Sequence, residues 1–363
     1  MENVSQKPIT RSPLSLSIIN SNWFVIVMGF GGVLNVSAQL WGLTGSTGQW
    51  IRGGVWINTG IFAFLLAVWL IRWLISPAKM WQEMMHPVMG HFFALIPIAM
   101  TIIGMNWSLM GREVGVIAVN RTMNGLWLLS IVLGLLISIV ITEAQMRQST
   151  HNSAQVSFAW LLGSVSTALF PLLGNIIVDM QAKLYPQWAQ FVNITDMAFV
   201  GMGLFLFIFF AAFLFGRYFS APAPPAPGTP TSWLLLGAAA VLSLSILGIS
   251  RDSVMIKQLP ISSFAIFLGV ALWGLAGWSF LLGFVMAFRV WIQKKLPFTL
   301  SWWAFVFPVS AYVLDSRTIA AALHTTWLTT YGDVFSVLLY LFFAIVLVNT
   351  VVALLTGRLF RQG

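Results

Sequence analysis

The sequence predicts an all-α integral membrane protein with ten transmembrane helices, and three observations carry that reading. The 363 residues are 59% hydrophobic and only 7% charged, where an ordinary globular domain is about 25% charged. Apolar runs near the 20 residues needed to cross a hydrocarbon core recur ten times along the chain. Short linkers join these runs, so neighbouring spans form five hairpins. In order, the spans are 22–42, 52–75, 88–111, 119–142, 155–178, 193–216, 232–250, 262–290, 298–315 and 332–356. The seventh is rich in small residues. A tail over 1–21 precedes them and another over 357–363 follows, with 22–356 forming one transmembrane domain. The proline-rich APAPPAPGTPT after Ser220 reads as a spacer without packing content.

Composition also excludes several classes. With no cysteine, the chain has no disulfide framework, thiolate metal site or cysteine nucleophile. Its net charge of +9 is spread singly between apolar spans, with no basic run longer than Lys294–Lys295, so nucleic acid is not an expected partner. The bilayer is, and the 18 tryptophans suit its interfaces. His86 and His91 are five residues apart, a poor spacing for two metal ligands on one helix face. No H-E-x-x-H, G-x-S-x-G or P-loop pattern occurs. The expectation is therefore a protein that is not an enzyme and carries no cofactor or metal.

The first twenty or so residues are polar-rich and lack a secretory cleavage pattern, so they read as a cytoplasmic tail. With the N-terminus inside, eleven of the 18 Lys and Arg residues fall on the cytoplasmic side and seven on the other. That bias places both termini inside.

Three prolines lie deep within spans: Pro97 in the third, Pro171 in the fifth and Pro308 in the ninth. All three spans are odd-numbered. The first span has the glycine cluster MGFGG, and the seventh has Gly237 among small residues. Broken backbone at membrane depth must be buried in protein or line a watery cavity. The odd helices therefore read as an inner ring around a path and the even helices as an outer ring against lipid. Prolines are also commoner in membrane helices generally, which is the plainer account. Hydroxyls lean the same way: Ser164, Ser166 and Thr167 in the fifth span, Ser243 and Ser245 in the seventh, Ser301 and Ser310 in the ninth. Such hydroxyls can equally bond their own helix backbone.

The charged residues Glu143, Asp179, Asp196, Asp315 and Arg317 all sit within about a turn of a span boundary, so they read as interfacial. No chain of buried carboxylates is expected. A path with hydroxyls and no acidic ring suits anions better than cations, and inward-pointing helix N-termini favour them further.

Four stretches resemble one transporter family. They are NWFVIVMGFGGV (22–33), HPVMGHFFALIPIAM (86–100), the proline-bearing fifth span and PFTLSWWAFVFPVSAY (297–312). Together they resemble the tellurite-resistance/dicarboxylate transporter family, which includes TehA-type proteins, malic acid transporters, fungal sulfite pumps and plant slow anion channels. The resemblance runs from about residue 20 to 356. It implies five helical hairpins in quasi-fivefold arrangement, odd helices lining a central pore, and a homotrimer with one pore per subunit. It also implies a ninth-helix phenylalanine that plugs the pore, and by motif this is Phe307. Helix position makes Phe24, Phe93 and Ser166 further candidates for the pore lining. The seventh helix has small residues where many members have a clearer proline. The long regulatory tails of the plant channels have no counterpart, so gating by phosphorylation is not expected.

Pro308 lacks an N–H, which releases the carbonyl of Ala304 from the helix ladder and pushes Phe307 off regular helix geometry. If the ninth helix lines the pore, that kink aims the Phe307 ring at its axis, and Ala304 leaves room one turn below. Trp302 and Trp303 read as packing anchors. Two functions follow: an anion channel gated by Phe307, or a saturable C4-dicarboxylate carrier, such as one for malate, that is proton-linked or a uniporter. A non-transporting enzyme or sensor would need a catalytic cluster that the chain lacks. The compact length without long tails points to a bacterial inner membrane.

Overall fold

Five helices of 30 to 35 residues carry most of the apolar surface: α2 (Gly45–Ile75), α6 (Val116–Arg147), α8 (Pro186–Ser220), α10 (Ser262–Ile292) and α12 (Thr326–Leu355). In a computed structural model that describes residues 19–147, 156–220, 226–260, 262–293 and 296–361, only 22% to 33% of each helix's most apolar stretch is buried. Leu, Ile, Phe and Val side chains cover the rest. A helix that is apolar all round and unburied within its own chain is in its natural solvent when that solvent is lipid. The 1–18 tail, His151, the linker prolines up to 225 and Lys294–Lys295 lie outside the described residues.

The alternate segments are shorter and enclosed. They contain α1 (Phe24–Trp41), α4 (Leu95–Trp107), α7 (Leu162–Gln181), α9 (Leu234–Met255) and α11 (Phe307–Leu323). Burial of the first four segments runs from 67% to 83%. The contacts close on themselves: α1 touches α4, α4 touches α7, α7 touches α9, α9 touches α11, and α11 returns to α1. Each inner helix also packs on the outer helix that follows it. This is the inner and outer division that the prolines point to. Two short helices, α3 (Pro77–Met85) and α5 (Gly111–Val114), fill linkers.

Nine helices among the described residues are long and apolar enough to cross a membrane. The predicted ninth span is not one of them, for a physical reason. Val306 interrupts it between a 3-10 turn, Leu300–Phe305, and the 17-residue α11, whereas in the other inner segments the 3-10 turn runs straight into the α-helix. All five inner segments open on 3-10 turns, at Ser21–Trp23, Met89–Ala94, Phe158–Leu161, Ala226–Trp233 and Leu300–Phe305.

These turns correct the reading of the prolines. Pro97 and Pro308 do not kink the middle of a helix. Each lies in the first turn of the α-helix that follows a 3-10 turn, where a missing N–H costs little. Of the three, Pro171 alone is inside an α-helix. The end of the proline-rich linker is also not inert: Thr229 and Pro230 are buried, and Pro227 O accepts a 2.9 Å bond from Ser301 Oγ.

Side-chain amides tie the first three spans together. Asn58 Nδ2 donates to Val27 O and to Asn106 Oδ1, and Asn106 Nδ2 donates to Gly31 O and Asn35 Oδ1, over 2.9 to 3.2 Å. Trp303 is an anchor: its Nε1 donates to Thr350 Oγ1 at 3.1 Å, and its ring fills the space over Gly29. Trp302 donates to Pro297 O at 3.0 Å.

Candidate functional site: a vestibule above Phe307

The C-terminal ends of all five inner helices, with Ser262 and Ile266 at the start of the outer helix α10, line a vestibule of about 710 Å³. Gln39 of α1, Met105 of α4, Asn175 and Asp179 of α7, Gly248 and Arg251 of α9, and Leu314, Arg317 and Thr318 of α11 are among its walls. The five helices therefore point their negative dipole ends toward it. Arg251 and Arg317 oppose that field, as basic residues near helix C-termini do.

The stripe of α11 that faces the vestibule includes Leu314, Thr318 and Ala321. Stepping back along the same face by three or four residues leads to Ala311 and then to Phe307. Seven residues at helical rise place Phe307 about 10 Å below Leu314. There the interior is solid: Phe307 is 3% exposed and Ser310 1%. Gly32 of α1 lets Phe307 and Ser310 approach closely, and Gly237 of α9 lies against Pro308, where an added Cβ would stand 3.1 Å from its Cγ. The vestibule thus ends above a plug of close-packed residues that begins where α11 begins.

The other sequence-derived candidates are distributed more widely. Ala304 is buried in the 3-10 turn just before Phe307. Phe93 is buried in the 3-10 turn that leads into α4. Phe24 packs edge-on against Phe62 of the outer helix α2, ring centres 6.1 Å apart. Ser166 faces outward too, toward Gly134 of α6, beside a cavity of about 10 Å³ that His91 also lines. The inner-span hydroxyls are mostly committed. Ser164, Thr167 and Ser310 donate to carbonyls of their own segments, and Ser245 donates to Ala168 O of α7 at 2.6 Å.

The charges differ most from expectation. Asp196 and Asp315 do not snorkel to a surface: both are fully buried within the protein, as is Asp252. Asp196 Oδ1 accepts from Trp127 Nε1 at 3.1 Å, and Asp315 Oδ1 accepts from Ser243 Oγ at 2.6 Å. Asp252 pairs with Arg251 at 3.0 Å, and the same guanidinium reaches Asp179 across to α7 at 2.6 Å. Arg317 pairs with Asp333 of α12. Both vestibule arginines therefore already hold acids, and the mouth is close to charge balance.

The chain matches a family model described as voltage-dependent anion channel (SLAC1) over residues 19–351. It is also similar to two uncharacterized transporters of Methanocaldococcus jannaschii. One is 25% identical over 345 residues, covering 94% of each chain. The other is 24% identical over 346 residues, covering 94% of this chain and 96% of the relative.

Proposed function

Because the chain belongs to the voltage-dependent anion channel (SLAC1) family, we propose that it passes small anions through a central conduit closed by Phe307. The observation behind this reading is positional: Phe307 continues the vestibule-facing stripe of α11 and sits where the open space stops. A ring held by one rotatable side chain at the start of a helix is a simple obstruction to move. The five inner and five outer helices act as ten spans in quasi-fivefold arrangement once the divided ninth is counted. The whole of 22–356 forms one transmembrane unit, with short tails on the cytoplasmic side of a bacterial inner membrane. It works as a homotrimer with one conduit per subunit and carries out no catalysis. Chloride, nitrate, C4-dicarboxylates, and sulfite- or tellurite-type oxyanions are the candidate cargo.

Phe307→Ala in planar bilayers tests the gate. Anion conductance should rise well above the wild type. An unchanged current from protein shown to be inserted would overturn the reading.

One observation favours a carrier as the second reading. Asp196, Asp252 and Asp315 are acids buried within spans, the kind of residue that proton linkage uses. That reading expects saturable malate uptake into vesicles that responds to an imposed pH gradient. The channel reading expects flux that does not saturate and ignores the gradient.

A further inference from the structure

We propose that Asn175 is the hydrogen-bond donor that an anion meets on leaving the vestibule for the gate, and that it favours strongly hydrated anions. The inference rests on the conduit reading above and adds a specificity residue to it. Asn175 lies on the vestibule-facing stripe of α7, four residues before Asp179 and so about 6 Å deeper. It is only 6% exposed. Its Oδ1 is fully buried without a hydrogen-bond partner, and its Nδ2 has no partner among the described residues. The NH2 end lies over Gly248, which is itself part of the cavity wall. Gly248 of α9 makes the room, since a Cβ there would overlap Nδ2.

A buried amide with neither end bonded is uncommon in a folded chain and calls for a reason. The neighbours sharpen the point. Arg251 is held by Asp179 and Asp252, Arg317 pairs with Asp333 through Nη1 and keeps only its buried Nε unbonded, and Thr318 donates to Leu314 O. Asn175 is the neutral amide of this wall that keeps its donors uncommitted, in a site lined by all five inner helices and the start of α10. Passage needs binding strong enough to replace part of an anion's hydration and weak enough to release it. A neutral N–H donor does this where a free guanidinium would trap the ion. The benefit is largest for anions with tightly held hydration, such as chloride or a carboxylate, and smallest for thiocyanate.

The test is the chloride-to-thiocyanate permeability ratio of reconstituted protein, measured in the Phe307→Ala background so that current is available. Asn175→Leu keeps the size and removes the donor. It should lower the ratio about tenfold, as losing one hydrogen bond to a charged group would. Asn175→Asp should depress both permeabilities by repulsion. If Asn175→Leu does not fold, Asn175→Ala reports the same ratio. A ratio unchanged from the parent in a folded donor-less variant overturns this inference and leaves the gate intact. Absence of any anion current in the Phe307→Ala parent overturns the conduit reading, and this inference with it.

Discussion

Gly32 of α1 lies directly against Phe307 of α11. A Cβ built on Gly32 would stand 3.5 Å from Phe307 Cδ2 and 3.1 Å from Ser310 Cβ, and would overlap Ser310 Oγ. The first and last inner helices are thus in contact at the depth of the proposed gate, with no room for one methyl group. Gly32→Ala should cost about 1–3 kcal/mol through overpacking, read as a lower Tm in detergent. Ser310→Ala removes the overlapping hydroxyl, whose one bond is to Phe307 O of its own helix. The double variant should therefore recover part of the loss. A wild-type Tm for Gly32→Ala would mean that the two helices separate without cost.

Phe24 and Phe307 are both buried phenylalanines, and truncating them separates packing from gating. Phe24 sits between α1 and the outer helix, edge-on to Phe62. Phe24→Ala should behave as a core truncation, losing about 3–5 kcal/mol with no new anion current. Phe307→Ala opens a space continuous with the vestibule, which water can fill, so it should cost less and conduct. Phe307→Leu should fall between wild type and Phe307→Ala in current. Equal destabilisation by the two alanine variants, both without current, would make Phe307 an ordinary core residue.

The division into inner and outer helices is legible in the sequence, because broken or glycine-rich backbone cannot face lipid. The 3-10 turns are harder to see, since a 3-10 turn and an α-turn have the same composition. A signal does exist. A small polar residue shortly before tryptophan opens four of the five inner segments: Ser21 before Trp23, Ser157 before Trp160, Ser232 before Trp233 and Ser301 before Trp302. The buried acids are misplaced by a boundary effect. Apolarity ends the ninth span at 315, but α11 runs to Leu323, so Asp315 is in mid-helix. Apolarity likewise starts the sixth span at 193, whereas α8 starts at Pro186 and carries Asp196 well inside. A vestibule built from six helices spread along the chain has no linear signature at all. Its arginines and Asn175 gain meaning only from their neighbours.

At the vestibule mouth, Arg251 bridges Asp179 of α7 and the fully buried Asp252. Arg251→Gln leaves Asp252 without its cation and turns the mouth negative. The variant should lose about 1–3 kcal/mol, because an unpaired buried carboxylate is costly. Its anion flux should also fall, and more steeply at low ionic strength, where the unscreened acids act furthest. Replacing Asp252 with Asn in the same chain should restore much of the Tm. Flux in Arg251→Gln equal to wild type at low salt would remove electrostatics at the mouth from the account.

Asp315 distinguishes channel from carrier. Ser243 Oγ lies 2.6 Å from Asp315 Oδ1 and 3.0 Å from Gly269 O, and Asp315 Oδ2 has no partner. One hydroxyl proton thus faces two acceptors, at the junction of α9, α10 and α11. Asp315→Asn supplies an NH2 in a side chain of the same shape, so Ser243 can be bonded whichever acceptor it serves. The protein should fold with a Tm at or above that of the wild type. In a channel, anion conductance through this variant should match the wild type, since Asp315 is not among the residues lining the vestibule. In a proton-linked carrier that uses this acid, malate uptake should stop responding to a pH gradient while the protein stays folded. Measuring both in one vesicle preparation decides between them: wild-type uptake that follows the pH gradient and Asp315→Asn uptake that does not is the carrier's outcome, whereas flux blind to the gradient in both proteins, with equal conductance, is the channel's.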